Sequence, residues 1–203
     1  KIATGSISLE GATGDGALVF LQDSDLMVWP AGAAAPLPLV RDYRVGEDSL
    51  LIRGRLVAAW LGEDVRPSSP TLWANTRGVR TIAAKVPRGS IYPSPSSDEL
   101  AYLTPSTSVL RRDVWATNAD GGPGARVVSG LDTGLVDKQC RPTITYVTSG
   151  LVIAGCPDGS TTPKVTVYAL DGSNAARTIL EGSAPGVFVN HARTRAVVQT
   201  PTT

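Results

Sequence analysis

Helical periodicity is missing from this sequence. No stretch carries apolar residues at the i, i+3, i+4, i+7 spacing of an amphipathic helix, and Pro or Gly interrupts nearly every window of a dozen residues, with 21 Gly and 15 Pro in 203 residues. Helical bundles and alternating α/β folds are excluded on that ground. No apolar run approaches the roughly 18 residues needed to cross a bilayer as a helix, and no signal peptide is read in the sequence, as expected of a mature or trimmed chain that has lost one. Charge of one sign is also scarce: 19 basic against 18 acidic residues leave a net +1. The densest basic places are Arg111-Arg112 and Arg193 with Arg195, far short of the basic stripe with interleaved aromatics that a nucleic acid requires, so no nucleic-acid partner is expected.

The inventory of reactive groups is short. His191 is the single histidine, and no G-x-S-x-G elbow exists to pair with it, so no catalytic residue is assigned and His191 reads as an exposed turn residue. Two cysteines and one histidine do not make a tetrahedral zinc set. Asp15, Asp23 and Asp25 lack the spacing of a calcium loop and read as turn residues that cap their own backbone. No metal and no cofactor is expected.

What the chain does have is a repeat. Four segments place a large aromatic in a short apolar strand followed by a polar or Gly-rich turn and another strand: Asp25 to Val40, Thr71 to Ala84, Asp113 to Gly130 and Lys164 to Gly182. The aromatics run from Trp29 to Trp73 to Trp115 to Tyr168, in steps of 44, 42 and 53 residues. A second strand, short and apolar, precedes each one: Ala17 to Gln22, Leu56 to Gly62, Glu99 to Pro105 and Gly150 to Cys156, with a fifth copy at Thr194 to Thr200. First strands are expected just upstream, near Ser6, Ser49, Ser90, Arg141 and Pro185. A period of about 40 to 50 residues with four strands per unit is the mark of propeller blades.

The expected fold is therefore all-β, a single β-propeller over residues 1–203, with four complete four-stranded blades (about 1–42, 43–87, 88–133 and 134–183) and part of a fifth (184–203). A closed propeller ties its last blade to its first and so leaves no free sheet edge. Two strands of a fifth blade point to a portion of a larger propeller, completed by further sequence, by another chain or by a second copy; a start at Lys1 rather than Met agrees with a trimmed or processed product. Trp29, Trp73, Trp115 and Tyr168, being locked to the repeat, read as packing aromatics between blades, although exposed aromatics on a propeller could also meet a glycan. Trp60 reads as core. Ala31 to Pro38 reads as a loop and an outer edge strand, where Pro36 and Pro38 discourage edge pairing. Arg111-Arg112 reads as an exposed hairpin.

Cys140 and Cys156 flank a hairpin turning at Thr148 to Gly150. If strands 143–147 and 150–154 pair, the two cysteines face each other at its open end, within reach of a cross-strand disulfide. The alternative is two free buried thiols. A disulfide would imply an oxidising compartment: periplasm, cell surface or secretion. The longest irregular stretch, Leu131 to Arg141, accounts for the enlarged step and carries Asp132, Asp137, Lys138 and Gln139, the expected partner-contact loop, because long loops on rigid scaffolds carry function more often than strands do.

The third repeat also resembles a family. Ser94-Pro95, Asp98, Leu100-Ala101-Tyr102, Asp113-Val114-Trp115 and Asn118-Ala119-Asp120-Gly121 are similar to the repeat of TolB-like propellers, which also occurs in prolyl-oligopeptidase-type peptidases and in the actinobacterial lipoprotein LpqB. The fourth repeat matches in part (ALDGS for NADGG), and Ser96-Ser97 replaces the usual Asp-Gly. An Ala-, Val-, Gly-, Arg- and Thr-rich composition, poor in Lys, Phe and Ile, tilts the resemblance towards LpqB. That resemblance implies a non-catalytic extracytoplasmic scaffold with a protein partner, such as a membrane receptor or a second chain. Two other readings stand beside it: the gating propeller of a serine peptidase whose catalytic domain lies outside this chain, and a carbohydrate-binding propeller.

Overall fold

The computed structural model describes residues 5–45, 47–62, 68–74, 78–82, 84–95, 99–108, 110–117, 124–135, 137–147, 150–169, 176–182, 186–191 and 194–199. Within these it is all-β, with one 3-10 turn at Lys138–Cys140 and no α-helix. The strands are β1 (Ile7–Ala12), β2 (Leu18–Gln22), β3 (Asp25–Trp29), β4 (Leu37–Val40), β5 (Ser49–Arg53), β6 (Leu56–Trp60), β7 (Thr71–Ala74), β8 (Gly78–Thr81), β9 (Ile91–Pro93), β10 (Leu100–Pro105), β11 (Arg111–Ala116), β12 (Ala125–Asp132), β13 (Thr143–Val147), β14 (Gly150–Gly155), β15 (Lys164–Ala169), β16 (Ala176–Glu181), β17 (Gly186–Val189) and β18 (Ala196–Gln199). They form four antiparallel four-stranded meanders, taken in chain order, and a two-stranded fifth sheet of β17 and β18.

Two compact units divide the chain, residues 1–89 and 90–203. In the first unit, sheets β1–β4 and β5–β8 pack face to face. Alternate residues of β2 and β3 (Val19, Leu21, Leu26, Val28) meet Val57, Ala59 and Trp73 of the second sheet, with Leu50 and Ile52 against them. Trp73 and Trp60 are fully buried, and the Trp60 indole donates to the Val86 carbonyl at 3.1 Å. In the second unit one core lies between the third and fourth sheets (Leu103, Val114, Ile144, Tyr146, Leu151). Another lies between the fourth and fifth, where Val147, Val152 and Val165 meet Val187, Val189 and Val198. Strands β6 and β14 are buried along their whole length, which is why they read as continuous apolar runs rather than alternating ones.

Bulges recur with the repeat. The outer strand gains a residue opposite Leu26/Met27 in the first sheet, opposite Asp113 and again at Val114/Trp115 in the third, and opposite Val165/Thr166 in the fourth. The second sheet pairs without a shift. In each bulged sheet one shift falls two or three positions before the repeat aromatic, so that irregularity belongs to the repeat itself.

Candidate functional site

The β13–β14 hairpin pairs Thr143 with Ala154 and Val147 with Gly150. That register brings Cys140 and Cys156 to a Cα–Cα distance of 5.0 Å, and they are joined by a disulfide. The bond ties the 3-10 turn ahead of β13 to the segment just after β14. This segment is itself laced to the third sheet: the Asp132 amide donates to the Cys156 carbonyl at 2.9 Å and the Asp158 amide to the Ser129 carbonyl at 3.0 Å. The disulfide therefore holds a loop of one sheet against the outer strand of its neighbour.

Beside that lacing an open cleft of about 660 Å³ is lined by Arg111 and Asp113 of β11, Arg126 and Gly130 of β12, and Asp158 and Gly159 of the disulfide-held loop. Asp113 sits opposite the bulge at Ser129–Gly130 and is buried. Its carboxylate accepts the Gly130 amide at 2.9 Å and faces the Arg126 guanidinium at 3.4 Å. Burial by itself would raise this carboxyl; the Gly130 amide, the Ser106 hydroxyl and Arg126 outweigh it and hold Asp113 below the usual carboxylate range. Asp113 is thus a structural anion that fixes the bulge and is occupied with its own donors.

Arg111 differs. It is half-buried, and among the described residues its guanidinium donates only to the Gly130 carbonyl, at 3.4 Å. Gly159, at φ +82, lets the loop approach so closely that a Cβ there would stand 3.0 Å from Arg111 Nη1 and 3.4 Å from Cζ. The guanidinium lies against that glycine. Arg111 and Arg112 therefore begin β11 as half-buried residues, and the expected exposed hairpin is displaced to the preceding turn, where the Arg111 amide donates to the Ser108 carbonyl.

The other expected residues fall as follows. Asp132 ends β12, and its carboxylate accepts the Gly134 amide at 2.7 Å, two residues on. Lys138 is exposed on the 3-10 turn, Asp137 precedes it, and the side chain of Gln139 lies outside the described residues. Trp73 is buried, whereas Trp29 and Trp115 are half-buried; their indoles donate to the Ala33 carbonyl at 2.8 Å and to the Thr104 hydroxyl at 2.9 Å. Trp115 also stacks on its cross-strand partner Tyr102, with ring centroids 6.4 Å apart. The side chain of Tyr168, Asp98 and Asn118 to Gly121 lie outside the described residues. His191 is exposed in the β17–β18 turn, which Asn190 closes by accepting the Thr194 and Arg195 amides. Asp23, at φ 57, occupies the β2–β3 turn, and Asp25 accepts the Asp42 amide at 3.3 Å. Among the described residues no group of His, Cys, Asp or Glu has the arrangement of a metal site, and no helix is long and apolar enough to cross a membrane.

Sequence reasoning missed Arg126, Asp158, Gly159 and Tyr146. The first three come together only through the pairing of two sheets. Tyr146 lies in the core between them with its hydroxyl buried and without a hydrogen-bond partner among the described residues, and burial, then the nearby Glu99 charge, raise its pKa. Nothing in the sequence around Tyr146 marks it apart from any other core tyrosine.

No protein-family model matches this sequence, and no curated protein aligns with it. Solved structures do. Oligopeptidase B from Leishmania major superposes with a TM-score of 0.50 at 14% identity, over 91% of this chain and 29% of that one. A structure from a study of two prolyl endopeptidases superposes with a TM-score of 0.50 at 13% identity, over 96% of this chain and 32% of that one. The tricorn protease gives a TM-score of 0.49 at 10% identity, over 90% of this chain and 17% of that one. This chain spans a third or less of the length of each. With the four meander sheets and the two-stranded fifth, the first two likenesses show the fold: four four-stranded propeller blades and two strands of a fifth. A TolB or LpqB relationship rests on the third repeat's motif alone.

Proposed function

We propose that the chain is a non-catalytic, extracytoplasmic propeller module of the TolB/LpqB kind that engages a protein partner, with the contact made where the third and fourth sheets meet. The observation that carries this reading is the cleft there, whose walls are held by a disulfide, two inter-sheet backbone hydrogen bonds and a bulge pinned by Asp113. A recognition surface needs such fixed walls, because a binding group that must first be ordered loses affinity to that ordering. The loop from Leu131 to Arg141, with Asp132, Asp137, Lys138 and Gln139, follows the cleft-lining Gly130 in the chain and extends the contact. The disulfide supports an oxidising compartment.

A second reading is supported by the two superpositions at a TM-score of 0.50: the chain is the propeller portion of a prolyl-oligopeptidase-type peptidase whose catalytic domain lies outside it. One experiment separates the two. The native protein, isolated from its source through an antibody to this region, is treated with a fluorophosphonate probe for active serines, and in parallel a photo-cross-linker is placed at Ser129. The scaffold reading expects no serine labelling and one cross-linked polypeptide that is lost when the cross-linker moves to Leu37 in the first sheet. Labelling of a serine on the same polypeptide overturns it in favour of the peptidase gate.

A further inference from the structure

The position four residues before the repeat aromatic is charged in three of the four complete sheets, and two of those charges are answered within the fold. In the first sheet Asp25 accepts a backbone amide. In the fourth, Lys164 pairs with its cross-strand neighbour Glu181 at 3.0 Å. In the third sheet the residue is Arg111, and its cross-strand neighbour is also a carboxylate, Asp132. Here the pair is not made: the Asp132 carboxylate turns to the Gly134 amide at 2.7 Å. Among the described residues no carboxylate comes within ion-pair distance of Arg111, which donates only to a backbone carbonyl at 3.4 Å. A half-buried guanidinium in a cleft, without the cross-strand counter-ion that its equivalent Lys164 has in the fourth sheet, is an anion site.

We propose that Arg111 anchors a carboxylate carried on a partner polypeptide, an Asp or Glu side chain or a C-terminus, in the cleft between the third and fourth sheets. Gly159 lets the loop come close to the guanidinium, where a Cβ would stand 3.0 Å from Nη1, and both residues line the cleft. The charges lining the cleft select the ligand class. Arg111 and Arg126 stand with Asp113 and Asp158, so a multiply charged phosphate would face two carboxylates as it approached the two arginines. A single carboxylate flanked by peptide amides meets Arg111 with its charge and Asp158 with its donors. This inference rests on the protein-binding reading above and adds the chemistry of the contact.

The test follows the arginine Nε–Hε resonances of the ¹⁵N-labelled full chain by NMR. The probes are an acetylated, amidated Gly-Glu-Gly-Glu-Gly peptide, its Gln counterpart, and inorganic phosphate at matched ionic strength. The expected result is a saturable shift of Arg111 and of the Gly130 and Gly159 amides with the Glu peptide, with binding about tenfold weaker for the Gln peptide and for Arg111→Met. Arg111→Lys recovers only part of it. Equal response to the Gln peptide, a linear shift without saturation, or tighter binding of phosphate than of the Glu peptide overturns the proposal. The Gln comparison uses the unmutated chain, so it decides the question even if a variant fails to fold. A cross-link at Ser129 with no carboxylate preference sinks this inference and leaves the protein-binding function standing; loss of the cross-link sinks the function itself.

Discussion

The junction between the first and second sheets and the junction between the third and fourth are built on the same repeat and held differently. At the first, Val19, Val28, Val57 and Trp73 interlock in an apolar core that contains one of the two fully buried tryptophans. At the other, Leu103, Ile144, Leu151 and Ile153 pack around Tyr146 with no tryptophan in the core, and a disulfide, two backbone hydrogen bonds across the sheets and a buried carboxylate are added at its rim. Both junctions join apolar faces and add backbone hydrogen bonds across the sheets, the first through the Gly14 amide and the Gly54 carbonyl at 2.5 Å. Among the described residues the disulfide and the buried, hydrogen-bonded carboxylate are added only at the second, where the rim forms the cleft.

The comparison is broken most severely by Trp73→Ala. The cavity should cost about 3–5 kcal/mol, measured by urea denaturation, with the loss reported by probes in residues 1–89. A smaller cost than that of removing the disulfide would mean that side-chain packing is not what chiefly holds the first junction. Next comes the paired replacement of Cys140 and Cys156 by Ala. Closing a loop of sequence separation 16 contributes about 3 kcal/mol in the chain-entropy model. Hydrogen exchange should show faster exchange of the Asp132 and Asp158 amides while those of β2 and β3 stay protected; uniform loss of protection would show that the bond serves the whole fold rather than the rim.

Asp113→Asn comes third, at about 1–3 kcal/mol, because it weakens the acceptor for the Gly130 amide in a buried place. Its pH signature is specific. The folded carboxyl titrates below its unfolded value, so its contribution is complete above about pH 4 and is lost as pH falls through the folded pKa. The Asn variant should therefore show a flatter decline of stability below about pH 4 than the parent chain, and an identical decline would remove Asp113 as an acid-sensitive tie. Smaller still, Tyr146→Phe should be neutral or stabilising by up to about 1 kcal/mol, since the hydroxyl it removes is buried without a partner among the described residues; a loss of more than that would reveal a partner for the hydroxyl. At the bottom of the scale, Glu181→Gln should change stability by less than about 1 kcal/mol, as the Lys164 pair is solvent-screened.

The strand plan was legible because blades write themselves locally. Short apolar runs at β6 and β14, turn residues such as Asp23 and an aromatic every 42 to 53 residues report period and strand order without any long-range information. The hairpin between Cys140 and Cys156 was legible for the same reason, since two adjacent strands joined by a tight turn leave one workable register. Arg111 was misjudged as a hairpin residue because whether a β-strand arginine meets water or a cleft depends on which loop of the next sheet lies over it. The spacing of Arg111, Arg126 and Asp158 in the chain carries no sign that they share a wall.

By itself, then, the sequence determined that the chain is all-β, how its strands succeed one another and where its disulfide closes, because those properties follow from neighbours within some 20 residues. Tertiary structure alone decided that Asp132 turns to a backbone amide instead of to Arg111, that Gly159 comes close to the guanidinium, and that Asp113 is buried among donors. Each of these depends on a choice among hydrogen-bond partners that lie close in space and far apart in sequence, and such a choice is made by geometry after the sheets have packed.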